Sequence, residues 1–202
     1  VPGVIQRSAL PNVMRGEETQ VLGVLQSLAA GTGCELLIGL PGSHSKWVEV
    51  VEGCISHFDT FMTGELFAVL SEHSILGRTQ QPSEHFQAAA FDRGVQVALS
   101  ADGQMGLLST LFSARTLGLT GALAPQEQPD YLSGLLIGHE LSGLRARHQT
   151  QRDIVLVGTT QLCARYQRAL ELCGFPHVAL AQEATERGLW QLAIAAGLLP
   201  AT

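Results

Sequence analysis

Three short segments bring together residue types that can do chemistry. The first is Arg15-Gly16-Glu17-Glu18-Thr19-Gln20, which reads as the start of a helix. A carboxylate there can accept a hydroxyl proton as a general base. Arg15 beside it can hold a substrate carboxylate in a bidentate pair. Two acids in a first turn also stabilise the helix dipole with no further role.

The second is Leu40-Pro41-Gly42-Ser43-His44-Ser45-Lys46, placed between two apolar runs. Gly42 lets backbone approach a ligand closely. Ser43 and Ser45 offer hydroxyls, His44 an imidazole and Lys46 a cation, and such a turn can grip a phosphate. An ordinary hairpin with solvated polar residues has the same composition, and no Walker-type spacing separates the two readings. The third is Ile154-Val155-Leu156-Val157-Gly158-Thr159-Thr160, a strand, a small-residue turn and a helix start. That order suits a nucleotide and is also common to any β-α unit.

The elements that must position these segments follow from periodicity. Residues 1–16 are mixed and turn-rich. A helix is expected over 17–30, with Val21, Leu22, Leu25, Leu28 and Ala29 on one face, stopped by Gly31-Thr32-Gly33. Leu36 to Leu40 reads as a buried strand, Trp47 to Val51 as a second and Cys54 to Phe61 as a third, together an antiparallel meander. Thr63 is expected to cap a helix over 64–72, Ser83 one over 84–99 and Asp130 one over 131–147. Another helix covers 107–117. Gly134 and Gly138 permit close helix packing. Arg145, Arg147 and His148 suit a helix C-terminus. A strand at 154–157, a helix over 161–173, a strand at 178–180 and a helix over 185–197 complete the chain.

The composition supports a packed α/β protein: 202 residues, 46% hydrophobic, 15% charged and 22 glycines. The net charge of −6 argues against general nucleic-acid binding, which needs a basic field. Cys34, Cys54, Cys163 and Cys173 form no C-x-x-C pair, so reduced, mostly buried thiols are expected rather than disulfides or zinc. The most apolar stretch, 132–144, is interrupted by His139 and Glu140 and is too short to span a bilayer.

Read in order, several runs resemble the 2-keto-3-deoxygalactonate kinase family. They are Asn12-Val13-Met14-Arg15-Gly16-Glu17-Glu18-Thr19-Gln20, Leu40 to Val48, Met62-Thr63-Gly64-Glu65-Leu66, Leu132 to Gly138 and Arg165-Tyr166-Gln167. The resemblance runs from about Asn12 to about Ala195. It implies the sugar kinase, Hsp70 and actin superfamily, whose members have two ribonuclease H-like lobes with ATP and sugar in the cleft between them. Residues 1–33 would be the end of the first lobe and the interlobe helix. Residues 34–202 would be the C-terminal nucleotide-binding lobe, α/β with the meander first.

The same resemblance assigns roles. Gly42, Ser43 and His44, with Ser45 and Lys46 close by, correspond to the second phosphate loop. Gly158, Thr159 and Thr160 correspond to the adenosine motif. Gly16-Glu17 falls where related sugar kinases carry a Gly-Asp whose Asp is the general base, so Glu17 is the candidate base, Glu18 its alternate and Arg15 the substrate cation. The implied reaction is ATP-dependent phosphorylation of 2-keto-3-deoxygalactonate at its C6 hydroxyl in the cytoplasm, with ATP and Mg²⁺ as cofactors. Mg²⁺ is expected on phosphate oxygens and waters, with no residue singled out as a ligand. No nucleic-acid or membrane partner is expected, and a homodimer is compatible. Family members open with an Asp-Trp-Gly-Thr-Thr-Asn type loop that handles phosphate and Mg²⁺. No such run occurs here, so the first lobe is expected to be largely missing and this chain alone to be a poor catalyst. The competing expectation is a non-catalytic nucleotide-binding or assembly module.

Overall fold

The computed structural model describes residues 2–27, 35–148 and 152–200. The end of the first expected helix, its glycine stop, Cys34 and the expected boundary at residues 33/34 lie outside them. The chain divides into two compact units. The first comprises Val1–Thr60, Arg152–Cys163 and His177–Thr202. The second comprises Phe61–Gln151 and Ala164–Pro176.

The first unit is built on a five-stranded sheet. Its strands are β3 (Leu36–Leu40), β4 (Ser45–Val51), β5 (Cys54–Phe61), β6 (Asp153–Leu156) and β7 (Val178–Leu180), in the order β5-β4-β3-β6-β7. β3 runs antiparallel to β4, with Leu36 opposite Val50 and Leu40 opposite Lys46. It runs parallel to β6, with Leu36 opposite Asp153 and Gly39 opposite Leu156. A strand covered on both faces has no polar side to show, which is why all five residues of β3 are apolar or glycine and all are buried. β4 and β5 are joined at Glu52-Gly53, both left-handed (φ 51° and 75°), the geometry of a tight two-residue hairpin turn.

Alternation sorts the side chains. Leu36, Ile38, Leu40, Val48, Val50, Val155 and Val157 share one core with Met14, Val21, Val24, Phe58 and Ala184. Lys46 has the parity of Val48 and Val50, so it enters the sheet face covered by the N-terminal segments. Those segments include a two-stranded hairpin absent from the sequence expectation: β1 (Val4–Gln6) and β2 (Asn12–Met14) pair antiparallel, Ile5 opposite Val13.

Helix α1 (Glu17–Ser27) lies against α8 (Ala184–Ala195), and glycine sets their distance. A β-carbon on Gly188 would fall 1.9 Å from the Thr19 carbonyl oxygen, and one on Gly23 would fall 1.8 Å from that of Ala184. Only bare backbone fits there. Thr19 and Gly23 make this contact, while Val21 and Val24 are buried in the sheet core; of the expected apolar face, Val21 is buried and Leu22 and Leu25 are half-buried.

The second unit is helical: α2 (Thr63–His73), α3 (Ala88–Leu99), α4 (Leu107–Thr110), α5 (Ser113–Leu119) and α6 (Gln128–Arg147), with most of α7 (Thr160–Leu172). α3 and α6 cross on glycines, as the Gly134/Gly138 spacing suggested. β-Carbons there would fall 2.0 Å from the Phe91 carbonyl oxygen and 2.8 Å from the Ala98 methyl. The expected helix over 107–117 is two pieces broken near Leu111.

Three expected caps fail, each because the polar group is used elsewhere. The Thr63 hydroxyl donates to the buried Glu140 carboxylate, to which the Tyr166 hydroxyl also donates at 2.8 Å. Asp130 lies inside α6, where it accepts the Gln87 amide at 2.7 Å and pairs with Arg165 at 2.5 Å. Ser83 turns onto the His85 carbonyl at 2.7 Å, and α3 starts only at Ala88. Cys163 and Cys173 are buried as expected, and burial pushes the Cys173 thiol up to about 11; Cys54 is exposed at the start of β5.

Candidate active site

A cavity of about 490 Å³ opens in the first unit, lined by hairpin residues from both β1 and β2 and by Arg15, Glu17, His44 and Lys46. The structure thus joins the first two sequence segments at one place. Chain entry into α1 fixes the carboxylates. Glu17 accepts the Arg15 amide through Oε2 at 2.9 Å, and Glu18 accepts the Gly16 amide through Oε2 at 2.7 Å. Each acid therefore satisfies a free backbone donor at the helix start, as in a capping box. They differ in what lies beyond. Glu17 lines the cavity. Glu18 does not, and its Oε1 is buried with no hydrogen-bond partner among the described residues.

The turn after β3 is shorter than expected: Gly42, Ser43 and His44 form it, while Ser45 and Lys46 already belong to β4. Ser43 and His44 are exposed. A β-carbon at Gly42 would meet nothing within 4 Å, and its φ lies outside the left-handed region, so neither packing nor backbone strain demands glycine there. Open space against bare backbone is what an incoming ligand needs. Ser45 and Lys46 are buried.

Lys46 is only 6% exposed and its ammonium donates to the Val13 carbonyl at 3.1 Å and to Thr60 Oγ1 at 2.8 Å. Burial lowers its pKa, and the negative charge of Glu17 partly opposes that. The Thr60 hydroxyl in turn donates to Asn12 Oδ1 at 2.7 Å, while the Asn12 amide donates to the Phe58 carbonyl at 3.1 Å. Neither Asn12 nor Thr60 has a role among the sequence expectations. Their only signal was that Asn12 opens the Asn12–Gln20 run.

The third segment stands beside the second. Val157 donates its amide to the Gly39 carbonyl at 2.9 Å, continuing the parallel β3–β6 ladder to its C-terminal end. A β-carbon at Gly158 would sit 3.6 Å from the Pro41 carbonyl oxygen. Gly158, Thr159 and Thr160 are exposed at that edge. Thr159 Oγ1 accepts the Leu162 amide at 3.4 Å, an N-cap for α7. Two turns and a helix N-terminus thus share the carboxyl ends of two parallel strands, where open α/β sheets bind ligands.

Among the described residues no three His, Cys, Asp or Glu side chains cluster as a metal cage, and no helix is long and apolar enough to cross a membrane.

Comparison with known proteins follows the same lines. The family model of 2-keto-3-deoxy-galactonokinase matches residues 1–192. A protein of Escherichia coli (strain K12) named 2-dehydro-3-deoxygalactonokinase is 38% identical over 182 residues, 90% of this chain and 59% of that one. A relative from Rhizobium meliloti (strain 1021) carrying the same enzyme name is 37% identical over 191 residues, 94% of this chain and 61% of its own. A crystal structure from Sinorhizobium meliloti, also under that name, superposes with a TM-score of 0.87 at 36% identity, covering 98% of this chain and 65% of that one. The activator of 2-hydroxyisocaproyl-CoA dehydratase from Clostridium difficile, with bound ADPNP, shares the fold at a TM-score of 0.52 and 12% identity, over 94% and 71% of the two chains. The chain spans about three fifths of the length of the curated relatives it matches. The expected actin-like kinase fold and family are thereby shown, and the chain belongs to the 2-keto-3-deoxy-galactonokinase family.

Proposed function

We propose that the protein transfers the γ-phosphoryl group of ATP to the C6 hydroxyl of 2-keto-3-deoxygalactonate, a cytoplasmic step in sugar-acid catabolism. The observation that carries the reading is the convergence of a cavity bearing Glu17 and Arg15 with two open turns at the carboxyl ends of β3 and β6, in a chain of this family. In this scheme Glu17 accepts the hydroxyl proton as the sugar oxygen bonds to the γ-phosphorus. The bond from that phosphorus to the β–γ bridging oxygen breaks, and ADP leaves. Arg15 holds the substrate carboxylate.

Backbone amides of Gly42, Ser43 and His44 receive the β- and γ-phosphates. Gly158, Thr159 and Thr160 meet the adenosine end, with the N-terminus of α7 favouring negative charge. The ADPNP held by the distant Clostridium protein of the same fold is in keeping with this use of the fold. Mg²⁺ would screen the phosphate charge, held mainly on phosphate oxygens and waters. Residues 1–33 would close the preceding lobe and residues 34–202 would carry the nucleotide.

The test is a coupled assay of ADP release from the purified full-length protein across several keto-deoxy sugar acids, the galactonate and gluconate epimers included. Acid-dependent ADP release is expected, fastest with the galactonate epimer; release no faster than with ATP alone would refute the kinase reading. Glu17→Gln should lower kcat by about 10²- to 10⁴-fold with little change in either KM. Near-normal turnover in that variant would remove Glu17 from the role of base.

A further inference from the structure

Lys46 is the one lysine among 202 residues; the other eleven basic side chains are arginines. A chain that otherwise places Arg at every cationic position has put its lone ammonium where desolvation costs most, at 6% exposure. The surroundings fix its direction. Thr60 spends its own hydrogen on Asn12, so its oxygen is free to accept from Lys46. Asn12 is itself held by the Phe58 carbonyl and the Val13 amide, the latter at 3.0 Å. The ammonium thus has two of its three N–H donors committed, to strands β2 and β5. It lines the cavity beside Arg15 and Glu17.

Two cations face one carboxylate there, which leaves room for one more negative charge. Of the turn proposed for the phosphates, His44 reaches the cavity edge, while Gly42 and Ser43 are not among its lining residues, and Gly158 approaches Pro41.

We infer that Lys46 serves the acceptor side of the site: with Arg15 it receives the carboxylate of the sugar acid next to Glu17, and it does not hold the triphosphate. This rests on the reading that the acceptor is a sugar acid, and it makes Lys46 a determinant of acid over neutral sugar.

Two experiments decide it. In kinetics, Lys46→Met should raise KM for the sugar acid roughly 10- to 100-fold, the loss of a charge-assisted hydrogen bond, with KM for ATP unchanged within about twofold. The preference for the acid over its neutral carboxamide should shrink by a similar factor, and Lys46→Arg should recover part of both. A rise confined to KM for ATP would overturn the assignment.

If Lys46→Met does not fold, the wild-type protein decides the question. Protein labelled with ¹⁵N-lysine gives an Nζ signal for Lys46, identified by its loss in Lys46→Arg. The sugar acid should shift this signal, and a non-hydrolysable ATP analogue should leave it in place; the reverse pattern, or no response to the acid, would overturn the inference. The readout is independent of turnover. A protein that binds the acid through Lys46 without phosphorylating it would sink the kinase reading alone.

Discussion

Gly188→Ala tests whether the α1–α8 crossing positions the candidate base. The added methyl would lie 1.9 Å from the Thr19 carbonyl oxygen and 3.0 Å from the Thr19 methyl. The first obstacle is backbone, which has no rotamer to change. To restore ordinary contact the helices must part by roughly 1 Å or more. Overpacking of this kind costs about 3 kcal/mol, while Ala in a helix interior regains about 1 kcal/mol over Gly. The net loss is therefore about 2 kcal/mol.

Gly143→Ala is the control. It too lies inside a helix, but its β-carbon would meet only the Phe61 ring at 3.9 Å. It should stabilise by about 1 kcal/mol. Urea unfolding monitored by fluorescence would read both values. Thr19 is two residues from Glu17, so the same displacement should reach the carboxylate. A misplacement of about 1 Å lowers kcat by up to about 100-fold. If the two variants agree within about 0.5 kcal/mol and turn over alike, helix contact does not set the position of Glu17, and the reasoning fails.

Other outcomes follow from the same contacts. Tyr166→Phe removes one donor from the buried Glu140 carboxyl and should destabilise by about 1 to 3 kcal/mol in the same unfolding experiment. A loss under about 0.3 kcal/mol would mean that this bond is not formed. His139 accepts or donates at 2.7 Å to Thr110, and burial lowers its pKa from the usual 6.5. Below that value the unfolded chain binds a proton that the folded chain resists, so folding stability should fall as pH drops from 7 to 5. His139→Gln should flatten that slope; an unchanged slope would exclude His139 as its source.

The main strands and the terminal β-α-β-α order were legible in the sequence because they depend on local pattern. The run from Leu36 to Leu40 is apolar throughout because β3 is buried on both faces, and Val178–Leu180 is bounded by its own turn residues. The hairpin of β1 and β2 was not legible. Three residues carry too little alternation, and its pairing bridges the turn-rich stretch between Gln6 and Asn12. The caps at Thr63, Ser83 and Asp130 misled for one shared reason: a hydroxyl or carboxylate that can cap a helix can equally serve a distant partner, and sequence cannot say which. In the candidate site, Glu17 and the two turns could be named from residue order. Their convergence could not, nor could the support of Lys46 by Thr60, which depends on strands β2, β4 and β5 coming together.

That division of support has a mechanistic consequence. The proposed acceptor side, with Arg15, Glu17 and Lys46, is held by the β1–β2 hairpin, the Asn12–Thr60–Lys46 hydrogen bonds and the glycine contact between α1 and α8. The turns proposed for nucleotide are held by the parallel β3–β6 ladder and the start of α7. Since the two sets of supports share few residues, their perturbations should be close to additive. Asn12→Ala would loosen Lys46 and should weaken the sugar acid more than ATP, whereas Gly158→Val would crowd Pro41 and Cys163 and should weaken ATP more than the acid. The separation of those two effects, rather than the size of either, is what a site assembled from two independently braced halves requires.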